Sequence, residues 1–233
     1  MSGQGRTPSF QKALDLALQH HAVGRLSQAE HIYKQVLQID PNQPAALHLL
    51  GVVALQAGKN NVAVDLITKA LAINSNEAEA HCNLGLALQN LGKIDDAVAS
   101  YQKALGLKPD YAEAHNNLGN ALRELGKLDD AAASYRKAFA IKPNYAEAYN
   151  NLGNALLNLG KLEDAIVSYQ QAVTIKPDYA EAYLNIGFAL QNLGQVDDAV
   201  ASYRKALGIR PDYAEAHTNL GTALRELGKL DEA

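Results

Sequence analysis

Asparagine recurs every 34 residues, at Asn83, Asn117, Asn151, Asn185 and Asn219, and in the middle of the chain it is flanked by Asn116, Asn120, Asn150 and Asn154. A carboxamide both donates and accepts hydrogen bonds, so a ladder of carboxamides has the chemistry to hold the backbone of an extended polypeptide with little regard to its side chains. Asparagine is a mediocre helix former, and its repetition inside helices needs a reason. The structural alternative is that each amide bonds a neighbouring turn or helix and stiffens the array. Arg123, with Arg225, supplies the main positive charge on the same stripe. Glutamate keeps the same period at Glu79, Glu113, Glu147, Glu181 and Glu215, each three residues after Asn76, Asp110, Asn144, Asp178 or Asp212. That spacing predicts a capping box at a helix start. The other reading is a mildly acidic stripe that favours neutral or basic segments.

Other reactive residue types form no constellation. The stretch from Gly119 to Lys127 ends in Gly-Lys, but six residues separate its glycines where a phosphate loop has four, and Leu128 stands where a hydroxyl must reach magnesium. The Gly-Lys pairs at 92, 126, 160 and 228 therefore predict helix ends. His81 and His115 occupy equivalent places in adjacent units, and helices packed about 8–10 Å apart keep two imidazoles from sharing a metal at about 2.0–2.1 Å. His20, His21 and His31 are the one denser group, and read as ordinary helix surface. Ser100, Ser134, Ser168 and Ser202 recur with the repeat, so none is singled out as a nucleophile, and no His–Asp pair is specified beside any of them. No catalytic residue, cofactor site or metal site is expected.

The elements that must position these residues follow from the period itself. Pro41, Pro109, Pro143, Pro177 and Pro211 share the 34-residue register, with Ser75 in the vacant place. Two glycine columns run beside them, one through Gly51, Gly85, Gly119, Gly153, Gly187 and Gly221, the other through Gly24, Gly58, Gly92, Gly126, Gly160, Gly194 and Gly228. Between these marks apolar residues fall at helical spacing, as in Ala114, Leu118, Ala121, Leu122 and Leu125, then Leu128, Ala131, Ala132, Tyr135, Ala138 and Phe139. Each unit is thus two amphipathic helices. The Gly126 column ends the first helix, Asp129-Asp130 places negative charge on the first turn of the second, and the proline column ends the second. Gly119 lies inside a helix, where it costs about 1 kcal/mol in propensity, and so predicts a close helix approach.

Leu118, Gly119, Ala131, Tyr135, Ala138 and Pro143 together resemble the tetratricopeptide family. The resemblance covers residues 10–233 as six units (10–43, 44–77, 78–111, 112–145, 146–179 and 180–213) and a truncated seventh, 214–233, after a flexible tail at 1–9. It implies an all-α, right-handed superhelical solenoid of antiparallel helix pairs whose first helices line a concave groove, with the asparagine ladder, Glu113, Arg123 and Glu124 on the groove stripe. The family's first-helix aromatic is replaced by Leu47, His81, His115, Tyr149, Tyr183 and His217, and the first unit departs further with Ala13 and Ala17. Family members that clamp a terminal carboxylate need lysine and arginine on this stripe, and glutamate and asparagine stand there. The divergent stretch around Ala46-Leu47-His48-Leu49-Leu50-Gly51 resembles the amino-terminal arrays of bacterial O-linked N-acetylglucosamine transferases and SPINDLY-like proteins. That resemblance implies a recognition arm that holds acceptor polypeptides for a glycosyltransferase.

Composition narrows the partners. Aromatics are 6% of the chain and tryptophan is absent, so alanine and leucine must do most of the packing, as in an all-helical chain. A formal net charge of -4 with both signs interspersed gives no footprint for nucleic acid or an anionic membrane. The single cysteine, Cys82, excludes internal disulfides and fits a reducing, cytoplasmic setting. Neither a signal peptide nor a membrane span is predicted. Leu220, Ala223, Leu224 and Leu227 lie on a first helix whose partner stops at Ala233, which predicts a fragment of a longer protein and weak end-to-end self-association through an uncovered face.

Overall fold

The computed structural model describes residues 7–228, which form thirteen helices joined by short turns. By contacts the chain divides into two compact units, residues 1–110 and 111–233. In the first unit α1 (Thr7–Ala22) pairs with α2 (Leu26–Ile39), α3 (Pro44–Gln56) with α4 (Asn60–Ile73), and α5 (Ala78–Asn90) with α6 (Ile94–Leu107). In the second, α7 (Ala112–Glu124) pairs with α8 (Leu128–Ile141), α9 (Ala146–Asn158) with α10 (Leu162–Ile175), and α11 (Ala180–Asn192) with α12 (Val196–Ile209); α13 (Ala214–Glu226) packs on α12. The expected all-α class of repeated helix pairs is present in both units. One boundary is corrected: Thr7–Phe10 are already helical, so α1 starts inside the stretch expected to be tail, with Pro8 in its first turn, where a missing N–H goes unmissed. No helix of the described residues is long and apolar enough to cross a membrane.

The helix ends show how the sequence sets the hairpins. Gly126 stands at φ +73° after α7, its N–H donating to the Arg123 carbonyl at 3.0 Å and the Lys127 N–H to the Leu122 carbonyl at 2.9 Å. The Gly-Lys amides are therefore spent on closing a helix. Asp129 and Asp130 then occupy the first turn of α8, where the helix dipole favours negative charge. The capping box expected at the next helix start does not form. The residues before α7, α9, α11 and α13 are Tyr111, Tyr145, Tyr179 and Tyr213, and none makes a side-chain cap. Cation–ring contacts pin this corner in three places: the Lys142 Nζ lies 4.7 Å from the Tyr145 ring centre, the Lys176 Nζ 4.8 Å from that of Tyr179, and the Arg210 guanidinium 3.3 Å from that of Tyr213.

Five hairpins close on a tyrosine, and the α3–α4 hairpin closes on Ile67. Tyr33, Tyr101, Tyr135, Tyr169 and Tyr203 are fully buried, between alanines such as Ala131 and Ala138 that are buried as completely. Tyr101, Tyr135, Tyr169 and Tyr203 lie close against the first helix because the opposed residue is glycine. A Cβ built on Gly119 would sit 2.5 Å from Tyr135 Cε1, and one on Gly153 2.4 Å from Tyr169 Cε1.

Candidate functional site

The amides of the first helices divide by what holds them. Tyr135 Oη donates to Asn120 Oδ1 at 2.8 Å, and Tyr169 Oη to Asn154 Oδ1 at 2.8 Å. In hairpins lacking that asparagine, the glutamine three residues on takes over: Tyr101 Oη donates to Gln89 Oε1 and Tyr203 Oη to Gln191 Oε1, each at 2.9 Å. Burial pushes the Tyr135 and Tyr203 phenols up to about 12, so they remain donors at any ordinary pH. The Arg123 side chain lies beside the Tyr135 hydroxyl and opposes that rise, while its Nε is buried without a partner.

A second set of bonds ties first helices to one another within each unit. Within the second unit Asn151 Nδ2 donates to Asn116 Oδ1 at 3.0 Å, and Asn185 Nδ2 to Asn150 Oδ1 at 3.1 Å and to Asn154 Oδ1 at 3.2 Å. Asn150 Nδ2 in turn reaches Glu181 Oε1 at 3.3 Å, and Asn116 Nδ2 reaches Asn117 Oδ1 at 3.4 Å. The first unit makes the equivalent tie with a different pair, Asn83 Nδ2 meeting His48 Nε2 at 3.0 Å while His48 Nδ1 meets Glu77 Oε1 at 3.0 Å. Asn116 and Asn150 are only 6% and 1% exposed. Both were expected on the groove stripe, and both are buried between helices, where a ligand does not reach. Asn83, Asn117, Asn120, Asn151, Asn154, Asn185, Asn219 and Arg123 are half-buried on the first helices and keep part of their surface open.

One feature of this stripe carries no mark in the asparagine columns. Phe188 is 45% exposed, the one aromatic among the strongly exposed large apolar residues described. It stands where α7 has Asn120, α9 has Asn154 and α13 has Thr222. With Gln191, Asn192, Asn219, Thr222 and Glu226 it lines a hollow of about 300 Å³ between α11 and α13. Gln191 Nε2 donates to Glu226 Oε1 at 2.7 Å across that hollow, and Arg225 folds back on its own helix, Nη2 to Thr222 Oγ1 at 3.4 Å.

The remaining candidates have local duties. The repeated serines Ser100, Ser134, Ser168 and Ser202 are buried and donate to the carbonyl four residues back at 2.8–2.9 Å. His81 and His217 bond the Ser75 and Pro211 carbonyls through Nε2, at 3.0 and 2.8 Å. His21 Nε2 lies 2.9 Å from Gln56 Oε1, and among the described residues no three His, Cys, Asp or Glu side chains converge as metal ligands. At the carboxy-terminal end, Ala223 and Leu224 are buried and Leu220 and Leu227 pack against the cluster of Leu184, Val200 and Tyr203, so this face carries less open apolar surface than the spacing predicts. Residues 229–233, on which the expected truncated partner falls, lie outside the described residues.

A sequence profile described as "TPR repeat" matches residues 90–122, 119–160, 154–194 and 192–228, and a second described as "Tetratricopeptide repeat" matches residues 20–84. No curated protein matches the sequence. Among solved structures, the MamA protein is 28% identical with a TM-score of 0.63, over 74% of this chain and 94% of that one. PilW, a type IV pilus biogenesis factor, is 21% identical with a TM-score of 0.83, over 94% of this chain and 100% of that one. YrrB, described as having an unusual peptide-binding site, is 21% identical with a TM-score of 0.65, over 80% and 96%. At 21% identity the last two attest the fold alone.

Proposed function

The chain belongs to the tetratricopeptide repeat family, and on that premise we propose that the first helices of its second unit, α7, α9, α11 and α13, hold an extended polypeptide segment. Tetratricopeptide arrays generally serve as non-catalytic scaffolds for protein–protein interaction. The observation that carries the finer reading is Phe188. In α7 and α9 its column bonds the core tyrosine, but in this hairpin, as in that of Leu86 and Gln89, a glutamine has taken that duty, Gln191 at 2.9 Å. The position is thereby released from the fold, and what fills it is a large ring left 45% exposed, forgoing about half of the roughly 1.5–3 kcal/mol that full burial gives. A side chain of this kind beside half-open amides is suited to receive an apolar residue of a ligand whose backbone the amides hold.

The surrounding charge supports a neutral or basic segment. Glu113, Glu147, Glu181, Glu215 and Glu226 are all exposed along these helices, Arg225 is turned onto Thr222, and Arg123 is drawn in toward Tyr135. A cluster of cations to clamp a carboxylate is not assembled among them. YrrB, made of the same repeats, is described with a peptide-binding site of its own. The buried asparagines do different work: Asn116 and Asn150 fasten neighbouring first helices, which holds the open amides at a fixed spacing. That this groove is the recognition arm of a larger protein rests only on the sequence reading of the stretch around Leu47, and the parent gene downstream of Ala233 tests that part.

Peptide display on the chain, followed by fluorescence titration of the winners, tests the ligand class. Phe188→Asn installs the residue of the equivalent Asn120 and Asn154, so the melting temperature is expected to stay put while affinity for the winners falls at least about tenfold, or about 1.4 kcal/mol. Failure to select any peptide, or equal binding by both proteins, refutes the assignment.

A further inference from the structure

The second helices carry a hollow that the polypeptide reading does not use. Between α10 and α12, floored by α11, residues including Val167, Val173, Tyr183 and Leu190 enclose about 630 Å³. The corresponding hollow in the first unit, between α2 and α4 over α3, holds about 220 Å³. The preceding unit shows what is missing beside Tyr183. In α8, Phe139 stacks on Tyr149 of α9, ring centres 4.2 Å apart and planes 9° from parallel. One unit later Tyr149 becomes Tyr183, but Phe139 becomes Val173. The tyrosine is kept and the ring that covers it is gone. Val167, where α8 and α12 have Ala133 and Ala201, adds an apolar wall that is 57% exposed.

We infer that this hollow is a docking pocket for one aromatic side chain of a partner polypeptide, inserted against Tyr183 as the chain's own Phe139 lies against Tyr149, with basic residues beside it. The charge follows from the rim. Glu163 and Asp198 line the hollow and are exposed, with no ion-pair partner among the described residues. Lys205 also lines the hollow, its Nζ 5.5 Å from the Tyr183 ring centre, which leaves two carboxylates to one amine on the rim. A second copy of this chain is a poor occupant, because it brings a net charge of -4 to an acidic rim. The site is separate from the first-helix stripe, and neither depends on the other being occupied.

The probe is a capped Lys-Trp-Lys tripeptide, with capped Lys-Ala-Lys as control, titrated into the full chain and followed by methyl resonances of Val167 and Val173. The expected result is saturable shifts with the tryptophan peptide, at least tenfold weaker or absent with the alanine peptide, and loss of most of the affinity at high salt. Val173→Phe restores the ring that Phe139 supplies one unit earlier, so it should raise the melting temperature and abolish the Val167 shifts. Phe188→Asn should leave them unchanged, which separates this pocket from the first-helix reading. Should Val173→Phe disturb the fold, Glu163→Gln with Asp198→Asn provides the second arm, with an expected loss of at least fivefold. Equal shifts with both peptides, shifts that survive Val173→Phe in a folded protein, or shifts that grow with protein concentration and no peptide each overturn the inference; the last of these would assign the hollow to a second copy.

Discussion

Gly119→Leu is expected to destabilise the second unit by about 3 kcal/mol or more. The first atom of the new side chain already falls 2.5 Å from Tyr135 Cε1. Tyr135 is fully buried and its hydroxyl is tied to Asn120, so the ring has nowhere to go. The helices must part, and with them the contacts of Ala131 and Ala138. Lys127→Leu places the same leucine eight residues further on, at an exposed turn, where about 0.5 kcal/mol in either direction is the usual range. Urea unfolding of the two variants followed by circular dichroism makes the comparison. If both are tolerated equally, the mid-helix glycine does not mark a close approach.

Tyr169→Ala is expected to lose about 3–5 kcal/mol, the range for emptying a buried aromatic site. Opposite Gly153 nothing larger than a hydrogen can expand into the space from the first helix. Tyr169→Phe separates ring from hydroxyl: it removes one donor to Asn154, which still accepts from Asn185, and should cost only about 0.5–1.5 kcal/mol. The first hairpin supplies the control. Tyr33 Oη is buried with no partner, so Tyr33→Phe is expected to be neutral or stabilising. Denaturant midpoints of the three variants decide it, and a Tyr33→Phe loss as large as that of Tyr169→Phe contradicts the hydrogen-bond account.

Much of the scaffold is legible in the sequence, because period and punctuation act locally. A glycine at φ +73° and a glycine facing a ring are both single-residue demands that repeat every unit, as at Gly126 and Gly119. The capping box misleads because three-residue spacing does not say where a helix starts. The tyrosine at 111, 145, 179 or 213 takes the position before the helix, and the asparagine or aspartate falls one residue outside it.

The site is legible only in part, for a geometric reason. Asn116 and Asn117 are neighbours in sequence but about 100° apart around the helix, and whether a given residue faces a ligand or the next helix depends on how the helices approach. A clue exists in its column, which reads His48, Cys82, Asn116, Asn150 and Leu184, a mixture fitting burial better than ligand contact. The release of Phe188 is likewise readable afterwards, since glutamine stands three residues after Leu86 and Phe188 and not after Asn120 and Asn154. The hollow at Val173 is not readable from one segment. It is a difference in side-chain volume between helices that meet only in the fold.

The central claim is that polypeptide lies along the first helices of the second unit. A display-selected peptide carrying a photo-crosslinker, irradiated on the intact chain and mapped by mass spectrometry, tests it most directly. The predicted adducts fall on Phe188, Asn192, Asn219 and Thr222, with weaker ones toward Asn154 and Asn120. Adducts confined to α8, α10 and α12, with those side chains untouched, would contradict it.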